Sequence, residues 1–348
     1  MTISDCSERE LIARIQARLP PAPSWLLVGI GDDAAVVEPE RNRADVLTVD
    51  ALVEGVHFDR AFVPPDAIGH RALAVNLSDL AAMGAAPRLA LLSLVLPPAL
   101  PLVDFDGVVS GLASLAALHR VHVAGGNVTR SPGEHSPLLI DVTVTGTVKP
   151  RQVLRRSGAR AGDELYVSGA IGSAAAGLGL LREDARLKTD DSGRASDHVR
   201  LVTAYLRPEP RVRLDLMLAR NRAATACMDL SDGLSDAVYQ IAEASGVGAQ
   251  IDAAALPIDP CARDVFAARG ADPMAAAVTG GDDYELLIAV RPRARGRLAT
   301  ARRHGGVPLT RIGVCTEDRA IVWRRDGADD ALPRGGYSHF RPPHARAT

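Results

Sequence analysis

Aromatic side chains are scarce, with Phe, Trp and Tyr together making up 3% of 348 residues. The core must therefore be built mainly from Ala, Leu, Val and Ile. Cysteine is also sparse. Cys6, Cys227, Cys261 and Cys315 form no C-x-x-C pair, which argues against a zinc site or a thioredoxin-like motif. Four scattered thiols in a chain of this length read as reduced, intracellular, buried apolar fillers. A large excess of either charge is lacking too: the formal net charge is -2, so no nucleic-acid or anionic-membrane partner is indicated. The Arg-rich stretches Arg41-Asn42-Arg43 and Arg291 to Arg303 are expected to cover solvated faces. The most apolar run, Leu89 to Val103, is broken by Pro97, Pro98 and Pro101 and is too short to span a bilayer. The first residues have no basic and apolar leader pattern, so a cytoplasmic protein is expected. A G-x-x-x-x-G-K-[ST] loop and the protein-kinase loop set are both absent, which excludes those two phosphoryl-transfer classes.

Acidic residues set beside Gly or Ser are present in several places. Asp32 and Asp33 follow Gly29-Ile30-Gly31. Asp50 ends a short apolar run, Thr48-Val49-Asp50. Asp79 lies in Asn76-Leu77-Ser78-Asp79, on a stretch with helical spacing. Asp229 and Asp232 flank Leu230-Ser231, and Asp282 and Asp283 follow Gly280-Gly281. Adjacent carboxylates raise each other's pKa and resist burial, so each pair faces either water or a cation. One such place is an ordinary turn, but five exceed what turns require. Magnesium is commonly held by one or two carboxylates plus phosphate oxygens and water. A triphosphate bound through several magnesium ions would use about this number of dispersed acidic side chains.

The periodicity predicts an N-terminal helix opened by the capping box Ser7 to Glu10. It predicts strands at Leu26 to Ile30 and Val46 to Asp50, the latter delivering Asp50 at its C-terminal end. Helices are expected over 66–85 and 105–119. A strand at Val121 to Ala124 is expected to run into a Gly125-Gly126 turn, and Ile140 to Val148 reads as a strand. A boundary near Lys149-Pro150 divides the chain into residues 1–149 and 150–348. Beyond it, strands are expected at 163–168, 224–229, 249–251, 284–290, 311–315 and 320–323. Helices are expected at 171–181, 212–219 and from Leu234. Glu183 to Asp197 reads as a polar insertion.

The blocks Gly29 to Ala35, Asp50 to Phe58, Asn76 to Ala85, Met228 to Leu234 and Gly280 to Leu286 resemble those of the thiamine-monophosphate kinases. They occur in that family's order, from about Glu8 to Phe340. This family belongs to the wider aminoimidazole ribonucleotide synthetase superfamily. The resemblance implies a two-domain α/β (α+β) fold, with an N-terminal mixed sheet that forms a barrel across a homodimer and a C-terminal α/β domain. It implies ATP-dependent, direct in-line phosphorylation of thiamine monophosphate to thiamine diphosphate with Mg2+. On matching positions, Asp33, Thr48, Val49, Asp50, Asp79, Asn127, Asp229 and Asp232 would hold metal, with Asp33, Asp79 and Asp232 as catalytic carboxylates. Gly125, Gly126, Asn127, Arg156 and Ser231 would contact ATP. His57, Asp282 and Tyr337 would contact thiamine monophosphate. Two positions depart from the family pattern. Asn127 stands where Asp is usual, which removes a charge from one metal site, and Asp282 stands where Glu is more common. The alternatives are another superfamily member or a non-catalytic nucleotide or thiamine-phosphate sensor.

Overall fold

The computed structural model describes residues 1–134, 136–183 and 193–336, with side chains in the last segment from 196 onward. The chain forms two compact units. The first comprises Met1–Val153 together with Leu206–Arg220, and the second holds the rest of the described chain.

In the first unit, α1 (Glu8–Gln16) opens at Ser7, whose hydroxyl and amide exchange hydrogen bonds with Glu10 as a capping box. A short hairpin, β1 (Leu26–Val28) and β2 (Val36–Val37), carries the Gly-Asp-Asp turn. The main sheet contains β3 (Ala44–Val53), β4 (Ala86–Leu96), β5 (His122–Arg130) and β6 (Leu139–Val148), in the order β3-β6-β4-β5. Only β4 and β5 are parallel, so the sheet is mixed. Its inner face carries Ile140, Val142, Val144, Leu92 and Leu94, all buried. They lie beneath α2 (Pro65–Ala82) and α3 (Leu102–His119). Each such side chain contributes on the order of 1.5–3 kcal/mol on burial. α2 and α3 meet at paired glycines. A Cβ added to Gly69 would lie 1.8 Å from the Val108 carbonyl oxygen, and one added to Gly111 would lie 1.8 Å from that of Asp66. By length and composition α3 is apolar enough to cross a membrane, but half of it is buried within this unit.

The returning segment Leu206–Arg220 contains most of α6 (Val212–Asn221), which follows α4 (Ser173–Glu183) and α5 (Gly193–Leu206) in chain order. His70 Nε2 donates to the Pro208 carbonyl at 2.9 Å, and Arg207 pairs with Asp66. Leu214 and Leu218 are fully buried, as is Asp215 between them. Burial pushes the Asp215 carboxyl well above the usual carboxylate range, opposed only by the nearby Gly84 amide. Neither of its oxygens has a well-formed hydrogen bond among the described residues.

The second unit is built on a seven-stranded sheet. Its strands are β7 (Glu164–Ser168), β8 (Ala226–Asp229), β9 (Gly248–Asp252), β10 (Leu286–Val290), β11 (Leu309–Thr316), β12 (Ile321–Arg325) and β13 (Ala328–Ala331). They run in the order β13-β12-β9-β11-β7-β10-β8. The helices are α4 (Ser173–Glu183), α5 (Gly193–Leu206), α7 (Leu234–Ser245), α8 (Pro260–Ala268), α9 (Pro273–Thr279) and α10 (Arg295–Gly305). Val167, Ile251, Leu287 and Ile312 from the sheet and Leu234, Val238, Val278 and Phe266 from the helices share one core.

Several sequence expectations are corrected. Asp50 lies inside β3, which continues through Ala51, Leu52 and Val53, so it is not at a strand end. Gly125 and Gly126 are not a turn but part of β5. The polar insertion expected over 183–197 gives way at Gly193 to α5, and residues 184–192 lie outside the described residues. α8 and α9, absent from the periodicity reading, each start with Pro behind a capping Asp. Asp259 accepts from the Cys261 amide at 2.9 Å and Asp272 from that of Met274 at 3.0 Å.

Candidate functional site

In the first unit the alternation of β3 sends Thr48 and Asp50 to the helix-covered face and Leu47, Val49 and Ala51 to the other. The Thr48 hydroxyl donates to the Asp79 carboxylate from α2, joining two predicted ligands separated by 31 positions. Val49 stands between them with its side chain on the opposite, exposed face, so only its main-chain oxygen could serve as a ligand. Asn76, one turn before Asp79, is a core residue whose amide donates back to the Ala72 carbonyl at 3.1 Å.

The exposed Asp32–Asp33 turn sits beside β5. Leu26 packs with Ala124 and Leu89, and Gln16 donates to the Ile30 carbonyl at 3.1 Å. Gly126 has no room for a side chain, because a Cβ would lie 1.7 Å from the Leu92 carbonyl oxygen. Asn127 is in register with Ser93, Asp141 and Ala51 across the sheet, hence on the outer face. It is three strands from β3 and on the opposite face from Thr48 and Asp50. Its Nδ2 donates to Thr129 Oγ1 at 2.8 Å, which leaves Oδ1 as the oxygen donor.

His57 lies just beyond β3. Its Nδ1 accepts the Val53 amide at 3.0 Å, so the neutral ring carries its proton on Nε2. The loop is fixed by Glu54, which pairs with Arg60 at 2.7 Å and accepts the Leu138 amide at 2.9 Å.

In the second unit two acidic loops are laced together by their main chains. The Ser231 carbonyl accepts the Asp282 amide at 2.8 Å, the Leu230 carbonyl accepts that of Tyr284 at 3.0 Å, and the Glu285 carbonyl accepts that of Leu230 at 2.8 Å. Gly281 is required here, since a Cβ would stand 2.6 Å from the Ser231 carbonyl oxygen. Asp282 and Tyr284 both hold positive φ, at 69° and 49°, and Tyr284 Oη donates to Asp282 Oδ1 at 3.1 Å. Asp229 ends β8 and is buried. Ser231 and Asp232 follow it to Gly233, which precedes the N-terminus of α7. Arg156 reaches this helix through Gln240, which accepts its guanidinium at 2.6 Å and donates in turn to Asp236.

Sequence reasoning placed substrate contact on Asp282 and left Asp283 without a role. The structure gives Asp283 the task of fixing the loop. Its carboxylate accepts the Gly172 amide at 2.7 Å and the Ala174 amide at 3.1 Å, in the first turn of α4. The residue as a whole is half-buried, but its carboxyl is turned onto those amides. Burial pushes that carboxyl up to about 8, against the pull of the two amides and reinforced by the Glu285 and Asp282 charges. The Gly-Ala-Ile-Gly run before α4 was the available signal. Tyr337 lies outside the described residues. Gly336, just before it, passes so close to the second-unit loop that a Cβ would lie 2.8 Å from the Asp232 carbonyl oxygen.

Family models for the AIR synthase related protein match this chain, the N-terminal domain over residues 31–148 and the C-terminal domain over 160–324. A thiamine-monophosphate kinase of Escherichia coli K12 is 38% identical over 343 residues, covering 97% of this chain and 99% of its own length. A crystal structure of thiamine-monophosphate kinase from Stenotrophomonas maltophilia is 39% identical. It superposes with a TM-score of 0.80 over 92% of this chain and 97% of that one. A structure of AaThiL complexed with AMPPCP and TMP is 30% identical, with a TM-score of 0.74 over 98% and 99%.

Proposed function

The chain belongs to the thiamine-monophosphate kinases, within the AIR synthase related proteins, and from this membership we infer its reaction. It transfers the γ-phosphoryl group of ATP to the phosphate of thiamine monophosphate, giving thiamine diphosphate. The observation that carries this reading is the match over nearly the whole chain to kinases of that specificity, including one bound to AMPPCP and TMP.

The reaction is written as a direct in-line displacement. The acceptor phosphate oxygen attacks the γ-phosphorus while the bond to the β-bridging oxygen breaks, and ADP leaves. There is little covalent chemistry for the protein to do, so its residues act by positioning and charge. The N-terminal amides of α7, behind the Ser231–Gly233 loop, offer donors to phosphate, and Arg156 would add a cation. His57, its ring fixed by the Val53 amide, would present Nε2–H to thiamine monophosphate. Asp282, held by Tyr284, would accept from the substrate.

The donors near Thr48 are hydroxyl and carboxylate oxygens, which suit Mg2+. Among the described residues no three His, Cys, Asp or Glu side chains form a ready metal cage. That agrees with an ion completed by phosphate oxygens and water. Several ions are proposed: Thr48, Asp50 and Asp79 would supply ligands in the first unit, Asp33 and Asn127 would serve a different ion there, and Asp229 and Asp232 would supply ligands in the second unit. When bound, Mg2+ supplies neutralisation of the triphosphate charge.

A homodimer is supported by the outer face of the first unit's sheet, where Leu47 and Val49 on β3 and Leu91 on β4, with β6 between them, are exposed. Pairing that face with a second copy would bury it. The cytoplasm is the proposed location, where ATP is available and the four free cysteines stay reduced.

Purified protein given ATP, Mg2+ and thiamine monophosphate should form thiamine diphosphate, read by chromatography. Nucleotide binding without product would instead mark a sensor, the reading that Asn127 motivates.

A further inference from the structure

The sheet of the second unit has an acidic end and a basic end. β8 runs into Asp229 and β10 leads out of Asp282–Glu285, and the two strands are antiparallel neighbours. At their opposite ends the chain passes through Arg222–Thr225 before β8 and Arg291–Ala294 after β10. There a cavity of about 620 Å3 is lined by Arg160, Arg222, Arg291, Arg293 and Arg297, separated only by Gly, Ala and Thr. Among the described residues its lining holds no acidic and no aromatic side chain.

Among the described residues, none of these five guanidiniums makes an ion pair, whereas neighbouring Arg295 and Arg311 both pair with Glu164. The carboxylate behind the wall, Asp163, is already engaged by Thr225 Oγ1 at 2.7 Å and the Arg160 amide at 3.1 Å. α10 starts at the cavity with Ala294 as its cap, no side-chain cap bond and no acidic residue in its first turn. Arginines at the positive end of a helix are unfavourable unless an anion joins them. The walls are set by backbone. Arg222 holds a positive φ of 49°, and a Cβ on Gly158 would lie 2.5 Å from the Thr225 carbonyl oxygen.

We propose that this cavity binds a compact di- or triphosphate anion without a metal, at a site separate from the acidic loops. Guanidinium forks match phosphate oxygens in pairs, and the volume is that of a small-molecule site. Without an aromatic side chain the lining reads the phosphate chain and not a base.

The test is calorimetric titration of the full chain with inorganic pyrophosphate in EDTA, where the metal-free acidic loops repel anions. One saturable site per chain is expected. The double variant Arg293→Ala/Arg297→Ala should weaken it at least tenfold, while Arg319→Ala, on an exposed loop elsewhere in this unit, leaves it unchanged. Both variants should keep the thiamine diphosphate-forming activity measured without pyrophosphate, which shows that they are folded. ADP should bind within a fewfold of pyrophosphate, because only the phosphate chain is read. No saturable binding, equal binding by the double variant, or ADP binding more than tenfold tighter would each overturn the proposal.

Discussion

Asp215 offers a quantitative test of how the returning helix is held. Its carboxyl is fully buried and no well-formed hydrogen bond reaches it among the described residues. Desolvation raises its pKa well above the ordinary value, with only the Gly84 amide opposing. The folded chain therefore keeps a proton that the unfolded chain releases above about pH 4. In that window the native state binds one more proton than the unfolded state, so stability falls as pH rises. The slope is about 1.4 kcal/mol per pH unit, and it vanishes once pH passes the raised pKa and both states are ionised. Asp215→Asn has the same shape and no titration. Wild type should therefore lose about 1.4 kcal/mol relative to the variant for each unit above pH 5, until the difference levels off. The assay is urea unfolding at half-unit pH steps, followed by Trp25 fluorescence in a Trp323→Phe background, so that the one remaining tryptophan reports on the first unit. Parallel curves for the two proteins across pH 5 to 8 would refute the argument, because they would mean that the carboxyl is ionised and paired.

Asn127→Asp restores a charge at a proposed metal site and should lower the Mg2+ concentration for half-maximal kinase activity. An unchanged half-saturation counts against a ligand role. Thr48→Val removes the hydroxyl that donates to Asp79. A hydrogen bond to a charged group contributes about 1.5–3 kcal/mol, so kcat/KM should fall roughly 10- to 100-fold; a loss of thermal stability with unchanged kcat/KM would make the contact purely structural. Gly111→Ala puts a methyl 1.8 Å from the Asp66 carbonyl oxygen and must spread α2 from α3. Overpacking of this kind costs typically about 1–3 kcal/mol, visible as a lower unfolding midpoint, and an unshifted midpoint would show that the helices part without cost.

The local elements were largely readable from residue periodicity, and the acidic loops stood out because five places with carboxylates set beside Gly or Ser exceed what turns require. Pairing over long distances was less visible. Nothing near Asp50 in the sequence signals that β3 runs on to Val53, because that extension depends on β6, nearly a hundred positions later. The Gly125-Gly126 pair reads as a turn by composition. It is strand because Gly126 must clear the carbonyl of Leu92 on a neighbouring strand. Asp283 carried no role of its own in the sequence beside Asp282, and only the approach of the Gly172 and Ala174 amides gives it one. The arginines of 291–297 read as solvated surface, since one-dimensional spacing cannot show that Arg160 and Arg222 curve round to meet them.

The first unit is written in two separated pieces of gene, and this orders its birth on the ribosome. Its sheet strands have all been translated once Val148 emerges, but Leu214, Asp215 and Leu218 are still unmade. β7 and α4 of the second unit reach the exit tunnel before those residues do. The nascent first unit must therefore wait with one flank of α2 bare while part of its neighbour is made, and a ribosome stalled in between would release a chain unable to seal it.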